Sequence, residues 1–303
     1  MTSFSYWCQA ARPRTLPAAL APVLVGWCLA LEKSLYTIEE LFSVLIFASG
    51  LTLSLQIATN FFNDALDSDR GTDRATRLGP PRMCATGKLS SKSLKKGALI
   101  CCLIASIFGL PLVVMGGPLF LLIGLVCLSL TYLYTGTNYS ISYHGLGELF
   151  VFIFFGIIPV ACISFLGHYS WSPESFLIGI QIGCLCTHLI SINNLRDEED
   201  DALSRKKTLV VKLGRNTYLK YLKIITIACY ILSILIVLYN QSLWLGELLF
   251  LLSFPLVWLN LKKVSKTKPS KIYNQYLGSA AKNLLVGSLL LSIGVMVVCF
   301  TRT

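Results

Sequence analysis

Asn60-Phe-Phe-Asn63-Asp64-Ala-Leu-Asp67-Ser-Asp69-Arg-Gly71-Thr-Asp73 closes an apolar run that starts near residue 41. A second stretch repeats the pattern about 130 residues later: Asn193-Asn194-Leu-Arg196-Asp197-Glu198-Glu199-Asp200-Asp201. Together they hold nine of the fifteen carboxylates of this 303-residue chain. Ionisable groups at the edge of a bilayer are expensive to keep there, so their clustering marks a site. Carboxylates in such number suit a hard divalent cation, Mg²⁺, carrying a phosphate.

The rest of the chain supplies the bilayer. It is 54% hydrophobic and only 14% charged, with mean hydropathy +0.67, where a soluble domain carries about 25% charge. Long continuous apolar runs exclude a β-barrel, which alternates. Residues 1–11 lack the apolar core and cleavage site of a signal peptide. The composition predicts an all-α, polytopic membrane bundle forming one domain over residues 1–303. About nine transmembrane helices are expected near 16–32, 41–61, 98–115, 118–135, 147–167, 174–195, 221–239, 243–260 and 281–300.

Nine spans put 24 of the 26 Lys and Arg residues on one side, leaving only Lys33 and Arg302 on the other. That asymmetry makes the basic side cytoplasmic. Both acidic stretches then share it, and the site opens towards the cytoplasm. The net charge of +11 is thus a matter of topology and anionic lipid, with no nucleic-acid signature. Nine of the eleven cysteines lie inside apolar spans, where a free thiol acts as a small hydrophobe. His188 is expected in the core rather than at a site.

Asn60, Asn63, Asp64 and Asp67 recur at i, i+3, i+4 and i+7, one face of a helix. Asn193, Asp197 and Asp201 recur at i, i+4 and i+8. Two facing ladders of oxygen ligands can hold Mg²⁺ and leave positions open for phosphate. Basic residues follow each ladder: Arg70, Arg74, Arg77 and Arg82 after the first, Arg196, Arg205, Lys206 and Lys207 after the second. Arg196 and Lys206 lie nearest the ladder and are the expected cations for a diphosphate leaving group. Arg12 and Arg14, at the entry to the first span, are candidates to meet an acidic substrate. Tyr134, Tyr139 and Glu148 belong to a Gly- and Tyr-rich segment expected to cover the substrate.

At these residues the chain resembles the UbiA family of intramembrane prenyltransferases, most closely its 1,4-dihydroxy-2-naphthoate branch. Arg12 to Ala19 are similar to that branch's RPxTLPAA segment. NDxxDxxxGxD is matched by Asn63, Asp64, Asp67, Gly71 and Asp73. NNxRDxxxDxxxGKxTLxVxxG is matched by Asn193, Asn194, Arg196, Asp197, Asp201, Lys206, Thr208, Leu209, Val211 and Gly214. Tyr134-Thr-Gly136 and Gly145-Leu-Gly147-Glu148 match a YTG…GLGE stretch. Arg205 stands where the family has Gly. The resemblance implies that Asn63, Asp64, Asp67, Asp73, Asp197 and Asp201 hold Mg²⁺, which binds a polyprenyl diphosphate. Asn60, Asn193, Arg74 and Arg77 would help bind the substrates. It also implies an aromatic acid acceptor that loses CO₂, in menaquinone biosynthesis at the bacterial inner membrane. Another acceptor, such as 4-hydroxybenzoate or a naphthoate isomer, is the alternative within the class. A cation-coupled transporter is the alternative outside it, though no convincing internal repeat supports it.

Overall fold

The computed structural model describes residues 3–32, 34–72, 77–137 and 140–302. Every regular element among them is helical. The helices are α1 (Ser3–Ala10), α2 (Pro17–Leu31), α3 (Ile38–Asp69), α4 (Ser91–Gly116), α5 (Pro118–Leu133) and α6 (Gly147–His168). They continue as α7 (Pro173–Leu203), α8 (Leu209–Leu213), α9 (Arg215–Tyr239), α10 (Trp244–Leu251), α11 (Phe254–Lys266) and α12 (Tyr273–Arg302).

Six of these are long and apolar enough to cross a membrane, or eight spans if each of two bent pairs counts as one. The expected number of nine is therefore not reached by this measure. The bent pairs are α1 with α2, turned by 53°, and α10 with α11, turned by 40°. Pro17 and Pro255 open the second member of each pair, where a missing N–H costs nothing. The segment expected at 118–135 is the 16-residue α5, about 24 Å long and short for a ~30 Å core.

Two helices run past their expected spans into the acidic stretches. Helix α3 begins at a capping box: Thr37 Oγ1 accepts from Glu40 N at 3.3 Å, and the Glu40 carboxylate accepts from Thr37 N at 2.8 Å. It then runs 32 residues, about 48 Å, so Asn60 to Asp69 of the acidic stretch form its last turns. Helix α7 starts at Ser172, whose hydroxyl accepts from Ser175 N, and runs 31 residues through the second acidic stretch.

Helix α7 is the central member: 78% of its apolar stretch is buried, against 17% for α4. Leu99, Leu103, Ile107, Leu110 and Val114 of α4 are exposed, a face suited to lipid. Helix α6 crosses α7 where it loosens into a π-helical turn over Ile153–Ile157. There a Cβ on Gly156 would stand 2.3 Å from Gly183 Cα, so only glycine permits the approach. The apolar core is built mainly by α2, α3, α6, α7, α9 and α12. All eleven cysteines are free thiols, and His188 is buried with Nε2 2.7 Å from Thr226 Oγ1.

Candidate active site

The ends of α3 and α7 meet at one end of the bundle and enclose a cavity. Asn60, Asn63 and Asp67 line it from α3, and Asn193, Asn194, Asp197 and Asp201 from α7. The structure thus brings residues of both ladders to one cavity wall. Lys206 joins them: its Nζ donates to Asp67 Oδ2 at 3.1 Å. Arg82 Nη2 donates to the same oxygen at 2.9 Å. Tyr143 OH donates to Asp67 Oδ1 at 2.9 Å, and the Lys206 ammonium and the Arg70 guanidinium both lie within 5 Å of the Tyr143 ring centroid. Asp67 is 2% exposed, so these contacts are what makes its charge tolerable.

Asp197 is held differently. Arg196 donates through Nε to Oδ1 and through Nη2 to Oδ2, both at 2.7 Å. Arg77 Nη2 approaches Oδ2 at 3.5 Å from the cavity side. Arg196 also donates to Asn193 Oδ1 and Asn274 Oδ1 at 2.8 Å. It is buried and does not line the cavity, so it positions Asp197 and Asn193 rather than facing a substrate. Gly79 makes this possible: a Cβ there would stand 2.7 Å from Arg196 Nη2.

Asp64 leaves the ladder. Its two oxygens accept Met83 N at 3.0 Å and Cys84 N at 3.1 Å. It pins the loop that presents Arg82, and it is absent from the cavity wall. One residue from Asn63 means about 100° of rotation, enough to turn it onto that loop. Asn63 Oδ1 accepts from Thr135 Oγ1. Asn60 Nδ2 donates to Ala11 O at 2.9 Å, tying the N-terminal bend to α3.

At that bend the two expected arginines part. Arg12 lines the cavity, and its Nη2 is buried with no partner among the described residues. Its φ of 53° lies in the left-handed region, a conformation that costs an L-residue about 1–2 kcal/mol. Arg14 lies outside the cavity wall and donates to Asn274 O at 3.3 Å. Tyr134 and Glu148 line the cavity. Asp73, Arg74 and Tyr139 lie outside the described residues. Arg205, in the family's glycine position, takes φ 59° and keeps the turn, with Lys206 N on Asp201 O at 2.9 Å.

Sequence reasoning missed Tyr143 and Asn274. Tyr143 sits in the Gly- and Tyr-rich segment already singled out, four residues beyond Tyr139. Asn274 bridges Arg196 and Leu78 O from the start of α12 and carries no local motif.

The donor set fits Mg²⁺. It is oxygen-only, and the Asp201 carboxylate takes no hydrogen bond from the described residues. Among those residues no three Asp, Glu, His or Cys side chains gather closely enough to hold an ion alone. Mg²⁺ asks for less: one or two carboxylates, with water and substrate phosphate completing its shell. A second, mostly apolar cavity continues from the first past Phe150 and Phe155 to Leu130, Phe154 and Pro159.

Known proteins match along this same frame. The 1,4-dihydroxy-2-naphthoate octaprenyltransferase of Escherichia coli is 30% identical over 297 residues, covering 95% of this chain and 94% of that one. The protein of the same name from Mycobacterium leprae is 32% identical over 214 residues, 71% of each chain. The fold matches a UbiA homolog from Archaeoglobus fulgidus, solved bound to DMAPP and Mg²⁺, with a TM-score of 0.65 at 13% identity over 95% of this chain and 99% of that one. The family profile itself extends over residues 19–297, from the first span to the last and through both acidic helix ends, and the chain accordingly belongs to the UbiA prenyltransferase family.

Proposed function

We propose that the protein transfers a polyprenyl group from a polyprenyl diphosphate to 1,4-dihydroxy-2-naphthoate, releasing CO₂ and diphosphate, in menaquinone biosynthesis. The observation that carries the reading is the join of a polar, carboxylate-lined cavity to an apolar slot. A polyprenyl diphosphate has the same two-part character. The like-named relatives at 30–32% identity support the acceptor.

Asp67, Asp197 and Asp201, with Asn63, would share one or two Mg²⁺ ions, no more than two carboxylates to each, and the metal would supply positive charge to the diphosphate as it leaves. Arg77, Arg82 and Lys206 add fixed positive charge at the polar end, where charge develops on the leaving group. They are held on Asp67 and Asp197, so they need no reorganisation when the substrate arrives. Phe150 and Phe155 flank the passage to the apolar slot, excluding water from the allylic carbon. Arg12 offers an unspent guanidinium nitrogen to the acceptor carboxylate. The site opens, in this reading, to the cytoplasmic side of the bacterial inner membrane.

The test is an assay in membranes with labelled polyprenyl diphosphate, Mg²⁺ and a panel of aromatic acids. Dihydroxynaphthoate should be the acceptor consumed. Prenylation of 4-hydroxybenzoate instead would move the chain to another branch, and no prenyl transfer at all would overturn the reading.

A further inference from the structure

Glu148 is a carboxylate at the cavity wall with half its capacity spent. It is 2% exposed. Its Oε1 accepts from Tyr218 OH at 2.6 Å and from Asn194 Nδ2 at 2.9 Å. Ser191 Oγ, 2.8 Å from the Tyr218 oxygen, can donate to it in turn and fix the phenol's direction. Its Oε2 is sealed from solvent and has no partner among the described residues. No Lys or Arg forms an ion pair with it among those residues. An unpaired buried acceptor costs about 1–3 kcal/mol, and here two neighbours hold the carboxylate by its other oxygen. Gly147 beside it keeps the space open, since a Cβ there would stand 3.2 Å from Tyr134 Oη.

Resting on the prenyl-transfer reading above, we propose that Glu148 is a catalytic residue: Oε2 accepts the acceptor's phenolic proton while the ring attacks, and returns it afterwards. An electron-rich ring becomes a stronger nucleophile as its hydroxyl loses the proton. A group fixed in hydrogen-bond reach is what general base catalysis requires.

The step balances as follows. The allylic C–O bond breaks, and its electron pair leaves with the diphosphate. A ring π pair forms the new C–C bond at the carbon ortho to the hydroxyl, the one bearing the carboxylate. The phenolic proton passes to Glu148 Oε2, and the phenol oxygen becomes a ketone. Loss of CO₂ returns the C–C pair to the ring, and the proton returns from Glu148 to the oxygen. Glu148 ends as it began. Tyr218 and Asn194 are positioning residues that keep Oε1 occupied and leave Oε2 uncommitted.

The experiment compares wild type, Glu148→Gln and Glu148→Ala in membranes with labelled polyprenyl diphosphate, Mg²⁺ and dihydroxynaphthoate. Glu148→Gln should lower kcat by 100-fold or more while the KM for polyprenyl diphosphate stays within about 3-fold. Formate should restore Glu148→Ala at least 10-fold and leave wild type unchanged, which a merely structural role would not produce. In wild type, the acceptor methylated on that hydroxyl should be inert. Turnover of Glu148→Gln within 5-fold of wild type overturns the proposal. So does Glu148→Ala that formate fails to rescue, whether or not it folds. Wild type that prenylates no acceptor overturns the functional reading and this proposal with it; wild-type turnover with unaffected Glu148 variants overturns this proposal alone.

Discussion

Replacing Asp67 by Ala strips a buried anion from two buried cations at once. Asp67 Oδ2 accepts Arg82 at 2.9 Å and Lys206 at 3.1 Å, and both cations have side chains at most 14% exposed. Each charge-assisted contact is worth about 1.5–3 kcal/mol, and breaking a buried pair costs about 3–5 kcal/mol because the partner's charge is left uncompensated. Asp67→Ala should therefore lower stability by about 3–5 kcal/mol as well as abolish turnover, so loss of activity in that variant is not by itself a report on metal binding. The double variant Asp67→Ala/Lys206→Met removes one stranded cation and should recover part of that loss. Its coupling energy should be about 1.5–3 kcal/mol. The assay is thermal unfolding of the four proteins of the cycle in detergent. Single variants that unfold with wild type, or a coupling below about 0.5 kcal/mol, would refute the claim that this carboxylate holds the cations in place.

Arg12→Gln should raise the KM of the aromatic acceptor about 10- to 150-fold with little change for the diphosphate, whereas Arg14→Gln should change neither; equal kinetics in the two variants would remove Arg12 as the anchor. Gly79→Ala pushes a Cβ against Arg196 Nη2 and should cost about 1–3 kcal/mol of thermal stability, read by the same unfolding assay. Arg205→Gly relieves a positive φ and should be neutral to about 1 kcal/mol stabilising, and a clear loss of stability would contradict the strain. Cysteines introduced near residues 90 and 210 should resist impermeant labelling from outside the cell, since strong external labelling at either contradicts the assigned orientation.

Helical periodicity carried most of the site. Asn60, Asn63 and Asp67 share a cavity because helix α3 continues unbroken through them, and α7 does the same for Asn193, Asp197 and Asp201. Periodicity also over-reached: a helix offers a face about 100° wide, and Asp64 sat at its border with a loop waiting to claim it. Contacts between distant segments left no local trace. Asn274 reaches Arg196 across 78 positions, and nothing in the composition of α12 announces it. Arg12 and Arg14 are alike in charge and neighbourhood, and only the left-handed turn at Arg12 sends them to different places. Hydropathy found the apolar segments and missed how two of them bend, because a kink of 40–53° alters direction without altering composition.

The glycine crossing of α6 and α7 sits far from the chemistry and yet sets its tolerance. Gly183 and Asp197 are fourteen residues apart on one continuous helix, about 21 Å. Helix α7 thus behaves as a lever with its fulcrum at the crossing. A tilt of about 3° there would carry Asp197 roughly 1 Å sideways, a displacement of the size that costs an active site about 100-fold in rate. With backbone against backbone at Gly156 and Gly183, the fulcrum has no side chain to yield. Aim at the distant carboxylate is kept by the hardness of a contact buried among hydrocarbon.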